Sequence, residues 1–342
     1  MNDKTEKTRG FGKYAYRITV CILCILILIA FLIQIRTKKR EPVSKTAFFL
    51  DTVVSVTLYD TQDENILNGA MDVCSRYDGI FSPTRSGSDI YKMNHREPGA
   101  NRYMPDDPSV LTVIGKGLEY GRKTDGAFDI TVEPLSSLWD FKAEDPSVPS
   151  ADALKEAALK VDYRNVTIQG NEIVFADDSA KIDVGAVAKG YIADQIKEYL
   201  LKNGVKSAVI NLGGNVLCVG QKPDKSPFTI GLQKPYADHT ETVKNLKIRD
   251  LSVVSSGVYE RHFIKDGINY HHILNPKTGM PYENGITAVS IVGPVSLECD
   301  ALSTACFSLG KEKGMDLINS MSGYYGYFIL DDGEILNSAE AQ

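Results

Sequence analysis

Beyond residue 46 the apolar positions of the chain recur with two periods. Alternating, β-branched runs predict strands, whereas apolar residues three or four positions apart predict helices over 64–81, 108–124, 185–203 and 296–310. Strand patterns dominate, helices lie between them, and the sequence contains no internal repeat. This order predicts an α+β fold with a mostly antiparallel sheet and flanking helices.

Three of the predicted strands are specific enough to be compared with a structure. The alternation over 47–59 predicts one strand, and the apolar run over 247–255 predicts another. A third strand is predicted to end at Val184, where a glycine leads directly into the following helix.

A long apolar run lies near the N-terminus, over residues 18–35, and is just long enough to cross a bilayer. It lacks the small residues of a cleavage site, so an uncleaved single transmembrane helix is expected rather than a signal peptide. Residues 1–17 would then be a basic tail, 36–46 a linker and 47–340 the folded domain. Basic residues flank both ends of the run, and their distribution leans slightly towards a cytoplasmic folded domain.

Charge is distributed unevenly along the chain, whose net charge is −6. Residues 1–44 hold nine Lys and Arg against three Asp and Glu, whereas the remainder holds 29 against 41. An acidic folded domain repels phosphate backbones, which argues against nucleic acid as a partner.

Two oxygen-bearing side chains share a face of the helix predicted over 296–310. Asp300 and Thr304 are four residues apart, which places them about 40° apart around the helix axis. A carboxylate and a hydroxyl are hard oxygen ligands of the kind that Mg²⁺ prefers, and Mg²⁺ keeps coordination places for substrate phosphates. Alternatively, Asp300 is an exposed acid and Thr304 bonds back to its own helix. Taken alone, the pair favours this second interpretation.

A glycine turn leads into the helix predicted over 185–203, which carries the basic residue Lys189. Free N–H groups at a helix N-terminus bind phosphate, and Lys189 would add a positive charge there. The P-loop pattern is absent, and spacing alone favours a plain β–α turn with a surface lysine. The paired glycines Gly213 and Gly214 lie between two strands and allow either a tight turn or the close approach of a ligand.

Two adjacent histidines lie in the strand predicted over 269–274. Neighbouring strand residues face opposite ways, so only one of His271 and His272 can enter a given site. Such a histidine near a metal-bound phosphate could act as a general base, although a lone strand histidine is usually structural. Trp139, the only tryptophan, belongs either to a buried aromatic turn or to the wall of a pocket for a flat ligand.

Five motifs occur in order along the chain, and together they resemble the ApbE family of FAD:protein FMN transferases. The resemblance extends over residues 45–330. Two positions depart from the family pattern: Asn275 stands where many members carry Asp, and Leu50-Asp51-Thr52 stands where Met-Gly-Thr is expected. The motifs are DGAFDIT at 125–131, DVGAVAKG at 183–190, NLGGN at 211–215, HHILNPKTG at 271–279 and DALSTA at 300–305.

The resemblance implies a Mg²⁺-dependent enzyme that cleaves the pyrophosphate of FAD and transfers FMN to a threonine side chain of a partner flavoprotein, releasing AMP. Carried over from the family, the metal ligands are the Asp300 carboxylate, the Thr304 hydroxyl and the Ala186 backbone carbonyl. The expected catalytic residues are Asp300, Lys189 and His272, where His272 is the general base and His271 the fallback. The expected FAD-binding residues are Asp125, Asp129, Lys189, Gly190, Gly213, Gly214 and His272, with the Trp139 region beside the flavin.

Other functions remain open at this stage. Water could replace the threonine, which would make the protein an FAD pyrophosphatase that yields FMN and AMP. A membrane-anchored flavin-binding module without turnover would need no metal ligand at Asp300. A purely structural exported domain leaves the glycine turns, Lys189 and the oxygen pair unexplained.

The resemblance also bears on location. Family members generally act outside the cytoplasmic membrane, so it implies a single-pass protein of the cell membrane whose catalytic domain is extracytoplasmic. This orientation runs against the slight lean of the flanking charges.

Overall fold

The computed structural model describes residues 19–20, 22–27, 41–237 and 241–341. Residues 22–27 are helical, but most of the predicted anchor at 18–35 and the whole basic tail at 1–17 lie outside the described residues. The anchor stays a prediction. Within the described ranges, no helix is both long and apolar enough to span a membrane.

An eight-stranded sheet forms the centre of the compact unit that begins at Pro42. Its spatial order is β1-β2-β6-β7-β10-β13-β14-β15, and neighbouring strands in it pair antiparallel. The prediction of an α+β fold with a mostly antiparallel sheet is therefore confirmed. The strands are β1 Val43–Phe49, β2 Thr52–Leu58, β6 Ser207–Leu212, β7 Asn215–Gly220, β10 Ser252–Gly257, β13 Ile286–Gly293, β14 Tyr325–Leu330 and β15 Ile335–Asn337.

Seven further described strands form three small antiparallel sheets, in the orders β3-β5-β4, β8-β9 and β11-β12. Their bounds are β3 Arg102–Tyr103, β4 Val166–Gln169, β5 Glu172–Phe175, β8 Phe228–Gln233, β9 Thr242–Ile248, β11 His262–Lys265 and β12 Ile268–His271.

Eight α-helices have both ends within the described residues. Side-chain caps define where several of them begin: the Asp63 carboxylate accepts a hydrogen bond from the Asn65 N–H group at 2.9 Å before α1, and Ser150 caps α5 in the same way. The helices are α1 Glu64–Phe81, α2 Asp89–Asn94, α3 Ser109–Lys123, α4 Glu133–Ser136, α5 Ala151–Ala158, α6 Gly185–Lys202, α7 Ser296–Leu309 and α8 Lys311–Asn319.

The single strand predicted over 47–59 is instead the hairpin of β1 and β2. Its turn consists of Leu50 and Asp51, which both have positive φ angles, 54° and 60°. Two-residue hairpin turns of this kind are usually made by Asn and Gly, so Leu50 and Asp51 do not indicate a turn. β1 begins at Val43, so residues 43–46 of the predicted linker belong to the sheet, and residues 36–40 lie outside the described residues.

Two other strand predictions are wrong. A turn at residues 249–251 divides the predicted strand 247–255 into β9 and β10, and Asp250 in this turn has a φ of 48°. No strand ends at Val184, because the preceding backbone bonds outside any sheet: the Ile182 N–H group donates to the Asn94 side chain at 2.7 Å, and the Asp183 N–H group donates to the Ile130 carbonyl at 2.8 Å.

Hydrophobic residues are buried on both faces of the large sheet. On β7, Val219 belongs to the main core with α1, α3, α6 and α7, whereas the adjacent Cys218 belongs to a second cluster with the β8–β9 hairpin. This division follows from the alternation of side chains along a strand. Helix α7 is buried on nearly all sides rather than along the single stripe predicted for it. Its polar residues are therefore enclosed by protein.

Candidate functional site

Helices α6 and α7 approach each other closely where the sequence carries Gly190. A Cβ atom at this position would lie 2.7 Å from the Leu297 Cα atom and nearer still to the Ser296 carbonyl oxygen, so only glycine fits. Four residues later on α6, the Asp194 carboxylate accepts hydrogen bonds from the Ser296 and Leu297 N–H groups, at 3.0 and 2.9 Å. Asp194 therefore caps the N-terminus of α7, where Val295 supplies no side-chain cap. These contacts fix α7 relative to α6.

The crossing places the buried carboxylate of Asp300 beside the amine of Lys189. Lys189 Nζ lies 3.7 Å from Asp300 Oδ1, and the Gly190 N–H group donates a hydrogen bond to Asp300 Oδ2 at 2.8 Å. Asp300 is only 3% exposed. Burial raises the pKa of its carboxyl group, while Lys189 and the Gly190 hydrogen bond oppose that increase. The interpretation of Asp300 as an exposed acid is therefore wrong.

Thr304 is half-buried one helical turn after Asp300. Its hydroxyl bonds to the large sheet rather than to its own helix, at 3.0 Å from Ser256 Oγ in β10. The predicted third oxygen donor, the Ala186 carbonyl, lies in the first turn of α6, four residues before Gly190. In an ideal helix the Gly190 N–H group would bond to the Ala186 carbonyl. Here it donates to Asp300 instead.

A second group of charged residues acts on Lys189 and Asp300 from the segment between β10 and β11. Glu260 is exposed at the surface, yet the protein packed around it partly removes water from its carboxyl group, and this desolvation raises its pKa to about 7. Lys189 and Arg261 oppose the increase, and Asp300 adds to it. These four groups therefore lie close enough to interact electrostatically. Glu260 Oε1 also lies 3.0 Å from where a Gly214 Cβ atom would be.

The two adjacent histidines have different surroundings. His271 is 4% exposed, its Nε2 atom lies 3.1 Å from the Tyr282 carbonyl oxygen, and its Nδ1 atom accepts the N–H group two residues later. Nε2 must therefore carry the proton of His271. In contrast, the Nδ1 atom of His272 is buried with no hydrogen-bond partner in the described chain. Burial lowers the pKa of His272 to about 3, with further contributions from Arg261 and Lys189.

Because His271 is buried, we expect the folded protein to lose stability in acid. Burial lowers its pKa to about 4 from the ordinary value of 6.5, so the unfolded chain binds more protons than the folded one below pH 6.5. As the pH is lowered from 6.5 to 4, we expect the titration of His271 to reduce the free energy of unfolding by about 3 kcal/mol. Above pH 6.5 His271 is neutral in both states and should not change the free energy of unfolding with pH. Urea unfolding at pH 7 and pH 4.5 measures the difference.

The matched variant for this prediction is His271→Gln, whose amide can still donate to the Tyr282 carbonyl but does not titrate. Its unfolding free energy should depend less on pH over the same interval. Identical pH dependence in both proteins would contradict the assignment.

The Gly213-Gly214 turn is a tight hairpin turn with φ angles of 61° and 89°. The space beside Gly213 is filled by Thr52, whose Cβ atom lies 2.8 Å from where a glycine Cβ would be. Next to Thr52, the Leu50 carbonyl accepts a hydrogen bond from Arg261 Nη2 at 3.2 Å. The turn, the tip of the β1–β2 hairpin and the Glu260-Arg261 segment are therefore in mutual contact. FAD binding by the two glycines stays a prediction.

The two aspartates predicted to bind FAD differ in their surroundings. Asp129 is 8% exposed: Oδ1 accepts bonds from the Thr131 N–H and hydroxyl groups at 2.7 and 2.6 Å, and Oδ2 accepts one from the Tyr163 N–H group at 2.8 Å. Both oxygens thus hold the local backbone. Asp125 is exposed in the turn after α3, with a φ of 50°. Their contacts with FAD stay predictions.

Trp139 lies in a buried aromatic cluster. It is 6% exposed, stacks on Phe141 with an interplanar angle of 2°, and donates its indole N–H to the Gly279 carbonyl at 3.0 Å. Of the two interpretations of this residue, the structure agrees with the buried aromatic turn and not with the wall of an open flavin pocket.

The oxygen donors at the helix crossing suit Mg²⁺ chemically. Asp300, Thr304 and Ala186 offer a carboxylate, a hydroxyl and a carbonyl, and Mg²⁺ prefers hard oxygen ligands. Across the described part of the chain, no group of three or more His, Cys, Asp and Glu residues could hold a metal ion. A Mg²⁺ site completed by substrate phosphates needs no such group. The donor set fits this ion, and the ligand assignment stays a prediction.

Comparison with known proteins identifies the family. The sequence matches the model of the ApbE family over residues 50–328, a range that includes all five motifs and the α6–α7 crossing. The chain belongs to the ApbE family.

Curated ApbE relatives are similar over most of their length. A protein of Treponema pallidum named FAD:protein FMN transferase is 30% identical over 89% of this chain and 88% of its own. A Klebsiella pneumoniae protein of the same name is 31% identical over 86% of this chain and 92% of its own. Among solved structures, the ApbE protein of Thermotoga maritima aligns with a TM-score of 0.79 and 30% identity, covering 87% of this chain and 97% of that one.

Sequence reasoning missed three residues that shape the site: Glu260, Ser256 and Asp194. Glu260 lies in a turn, where a charged residue normally indicates solvent. Ser256 is a strand serine without a motif around it. Asp194 lies five residues after Lys189 on the same helix. Nothing in the sequence around it indicates that it caps a second helix more than 100 residues later. Only the three-dimensional contacts identify these roles.

Proposed function

We propose that this protein transfers FMN from FAD to a threonine side chain of a partner flavoprotein, in a Mg²⁺-dependent reaction that releases AMP. The observation that carries the proposal is the grouping of Asp300, Lys189 and the unbonded Nδ1 atom of His272 around the α6–α7 crossing. Family membership and the names of the relatives support the same reaction.

Cleavage of a phosphoanhydride depends mainly on neutralising charge and aligning the reacting groups. Lys189 offers the positive charge to the pyrophosphate of FAD. Asp300, Thr304 and the Ala186 carbonyl would hold Mg²⁺, which when bound stabilises the negative charge on the phosphate oxygens. The Gly190 N–H group holds Asp300 Oδ2 in place, which leaves Oδ1 directed towards Lys189.

The transfer step is a nucleophilic substitution at the FMN phosphorus. The threonine oxygen bonds to this phosphorus, the bond from phosphorus to the bridging oxygen breaks, and AMP leaves with that oxygen. The threonine proton moves to Nδ1 of His272. In the free protein, burial together with Arg261 and Lys189 lowers the pKa of His272. Because the phosphates of FAD would neutralise both cations, FAD binding raises this pKa and strengthens the base.

The direct test is mass spectrometry of a purified FMN-binding domain incubated with the protein, FAD and Mg²⁺. We expect an FMN-sized adduct on a threonine, AMP in equal amount, and neither product when EDTA is present. Free FMN formed equally fast without the acceptor domain would indicate an FAD pyrophosphatase instead. FAD binding with neither product would indicate a flavin-binding module.

Paired histidine variants separate catalysis from stability. We expect His272→Gln to lower the transfer rate by about 10²-fold or more. Thermal stability should change little, because Nδ1 bonds to no described residue and the glutamine amide can replace the ring in its bond with the Arg261 backbone. His271→Ala should instead lower the melting temperature, because it removes the bond to the Tyr282 carbonyl. Transfer rates and melting curves of both variants are the measurements. Equal transfer in wild type and His272→Gln would assign the base elsewhere.

We also propose that residues 18–35 form a single membrane anchor and that the catalytic domain lies outside the cytoplasmic membrane. The apolar run and the family resemblance support this location. Protease treatment of intact cells tests it: residues 45–342 should be digested. Full protection of that domain would reverse the proposed orientation.

A further inference from the structure

A shallow groove of about 480 Å³ lies beside the Trp139 cluster. Its floor is apolar, and two lysines, Lys155 of α5 and Lys277, stand at its sides. Leu159, at the end of α5, also lines it and is 80% exposed, which is unusual for a leucine. Most of the remaining apolar lining is formed by Val148, Leu154 and Met280.

The loop at 275–279 makes one wall of the groove and is held rigidly. Asn275 accepts the Lys277 N–H group through its side chain at 2.9 Å and the Gly279 N–H group through its carbonyl at 2.8 Å. The Gly279 carbonyl in turn accepts the indole N–H of Trp139. Lys277 is therefore presented from a fixed backbone. The family departure at Asn275 is compatible with this role, because a neutral amide oxygen accepts the same bond.

The charges of the groove are unbalanced. Among the described residues, neither Lys155 nor Lys277 has an ion-pair partner, and no Asp or Glu lines the groove. The acids of α5 itself, Asp152 and Glu156, are not among the lining residues. In a chain whose net charge is −6, an apolar groove bordered only by cations is complementary to an acidic, partly apolar segment.

The groove also lies within reach of the site. Lys277 lies five positions after His272, so the two residues are at most about 18 Å apart even when the chain between them is fully extended. A protein–protein interface of ordinary size buries about 800 Å² on each partner, which corresponds to a circle of about 16 Å radius. The two lengths are similar, so an acceptor protein with its threonine at His272 covers a surface of the size needed to include the groove.

We propose that this groove binds an acidic, partly apolar segment of the acceptor flavoprotein and so determines how tightly the acceptor binds. The inference rests on the proposed function, since it names the surface that receives the second substrate. Because the proposed reaction places the FAD pyrophosphate at Lys189 on the α6–α7 crossing, we expect the groove to contribute to acceptor affinity and not to FAD affinity.

Charge reversal tests the groove in the full-length protein. We expect the double variant Lys155→Glu/Lys277→Glu to raise KM for the FMN-binding acceptor domain by about tenfold or more, with kcat and the KM for FAD unchanged. Leu159→Ser should also raise the acceptor KM. It should not destabilise the fold, because the Leu159 side chain is already exposed. The matched control is Lys311→Glu/Lys313→Glu, which makes the same charge change on two exposed lysines of α8.

The possible outcomes are distinguishable. An acceptor KM equal to that of the α8 control overturns the proposal, and so does a change confined to the KM for FAD. If charge reversal alters only the sedimentation of the protein, the groove is a contact between copies of this chain, and the proposal is wrong. If the wild type forms no flavinylated acceptor at all, the proposed function fails first. The proposal is supported if charge reversal raises the acceptor KM and if added salt raises the acceptor KM of the wild type in the same way.

Discussion

Replacing Asp300 with asparagine should lower the rate of FMN transfer by about 10²–10³-fold while leaving the fold intact. The asparagine side chain can still accept the Gly190 N–H group, but it removes the only carboxylate predicted to hold Mg²⁺ beside Lys189. Stability should change little, because a neutral amide is easier to bury than a carboxylate whose pKa burial already raises. The measurements are adduct formation by mass spectrometry, FAD binding by fluorescence and thermal unfolding.

Thr304 provides the matched pair for this experiment. Thr304→Ser keeps the hydroxyl that bonds to Ser256, whereas Thr304→Val keeps the shape and removes the oxygen. We expect Ser to retain most of the transfer rate and Val to lose much of it, with a raised Mg²⁺ requirement. Normal Mg²⁺-dependent transfer in Asp300→Asn would refute the metal assignment at this crossing.

Replacing Gly190 with alanine should have the largest effect on stability. The added Cβ atom would clash with the backbone at Ser296 and Leu297, and backbone atoms cannot move aside as a flexible side chain can. Helices α6 and α7 must separate to relieve the clash, at a cost of about 1–3 kcal/mol. The separation also moves Asp300 away from Lys189, so transfer should fall together with the free energy of unfolding.

Gly79→Ala in α1 is the control for this substitution. A Cβ atom there meets nothing within 4 Å, and glycine is a poor helix former, so the variant should be neutral or more stable by about 0.5–1 kcal/mol. Chemical unfolding curves of the two variants give the comparison. Equal stability of Gly190→Ala and Gly79→Ala would contradict the close packing of the two helices.

The parts of the fold predicted correctly depend on local sequence signals. The period of the apolar positions predicted α1 at 64–81, and the alternating apolar positions of the strand patterns predicted the antiparallel sheet. The turn of the β1–β2 hairpin was missed because Leu50 and Asp51 adopt positive φ without the usual turn residues. Contacts with Arg261 and Asp78 hold that turn, and such distant partners leave no local pattern.

The candidate site was predicted in part for the same reason. The four-residue spacing of Asp300 and Thr304 placed both on one helix, but spacing alone favoured an exposed acid. What buries Asp300 is the close approach of α6 at Gly190, which is a property of two helices and not of either sequence segment. Glu260 was not predicted because its role depends on Lys189 and Asp300, which belong to two distant segments of the chain.

The contact between Gly190 and Asp300 joins residues 110 positions apart, and this separation has a consequence during synthesis. The ribosome releases the chain from its N-terminus, so Lys189 emerges long before the carboxylate that completes the site. A chain that ends before Asp300 therefore carries Lys189 without this carboxylate, and we expect no FMN transfer from it. Lys189 and its carboxylate partner can therefore meet only after the segment that contains Asp300 has been made.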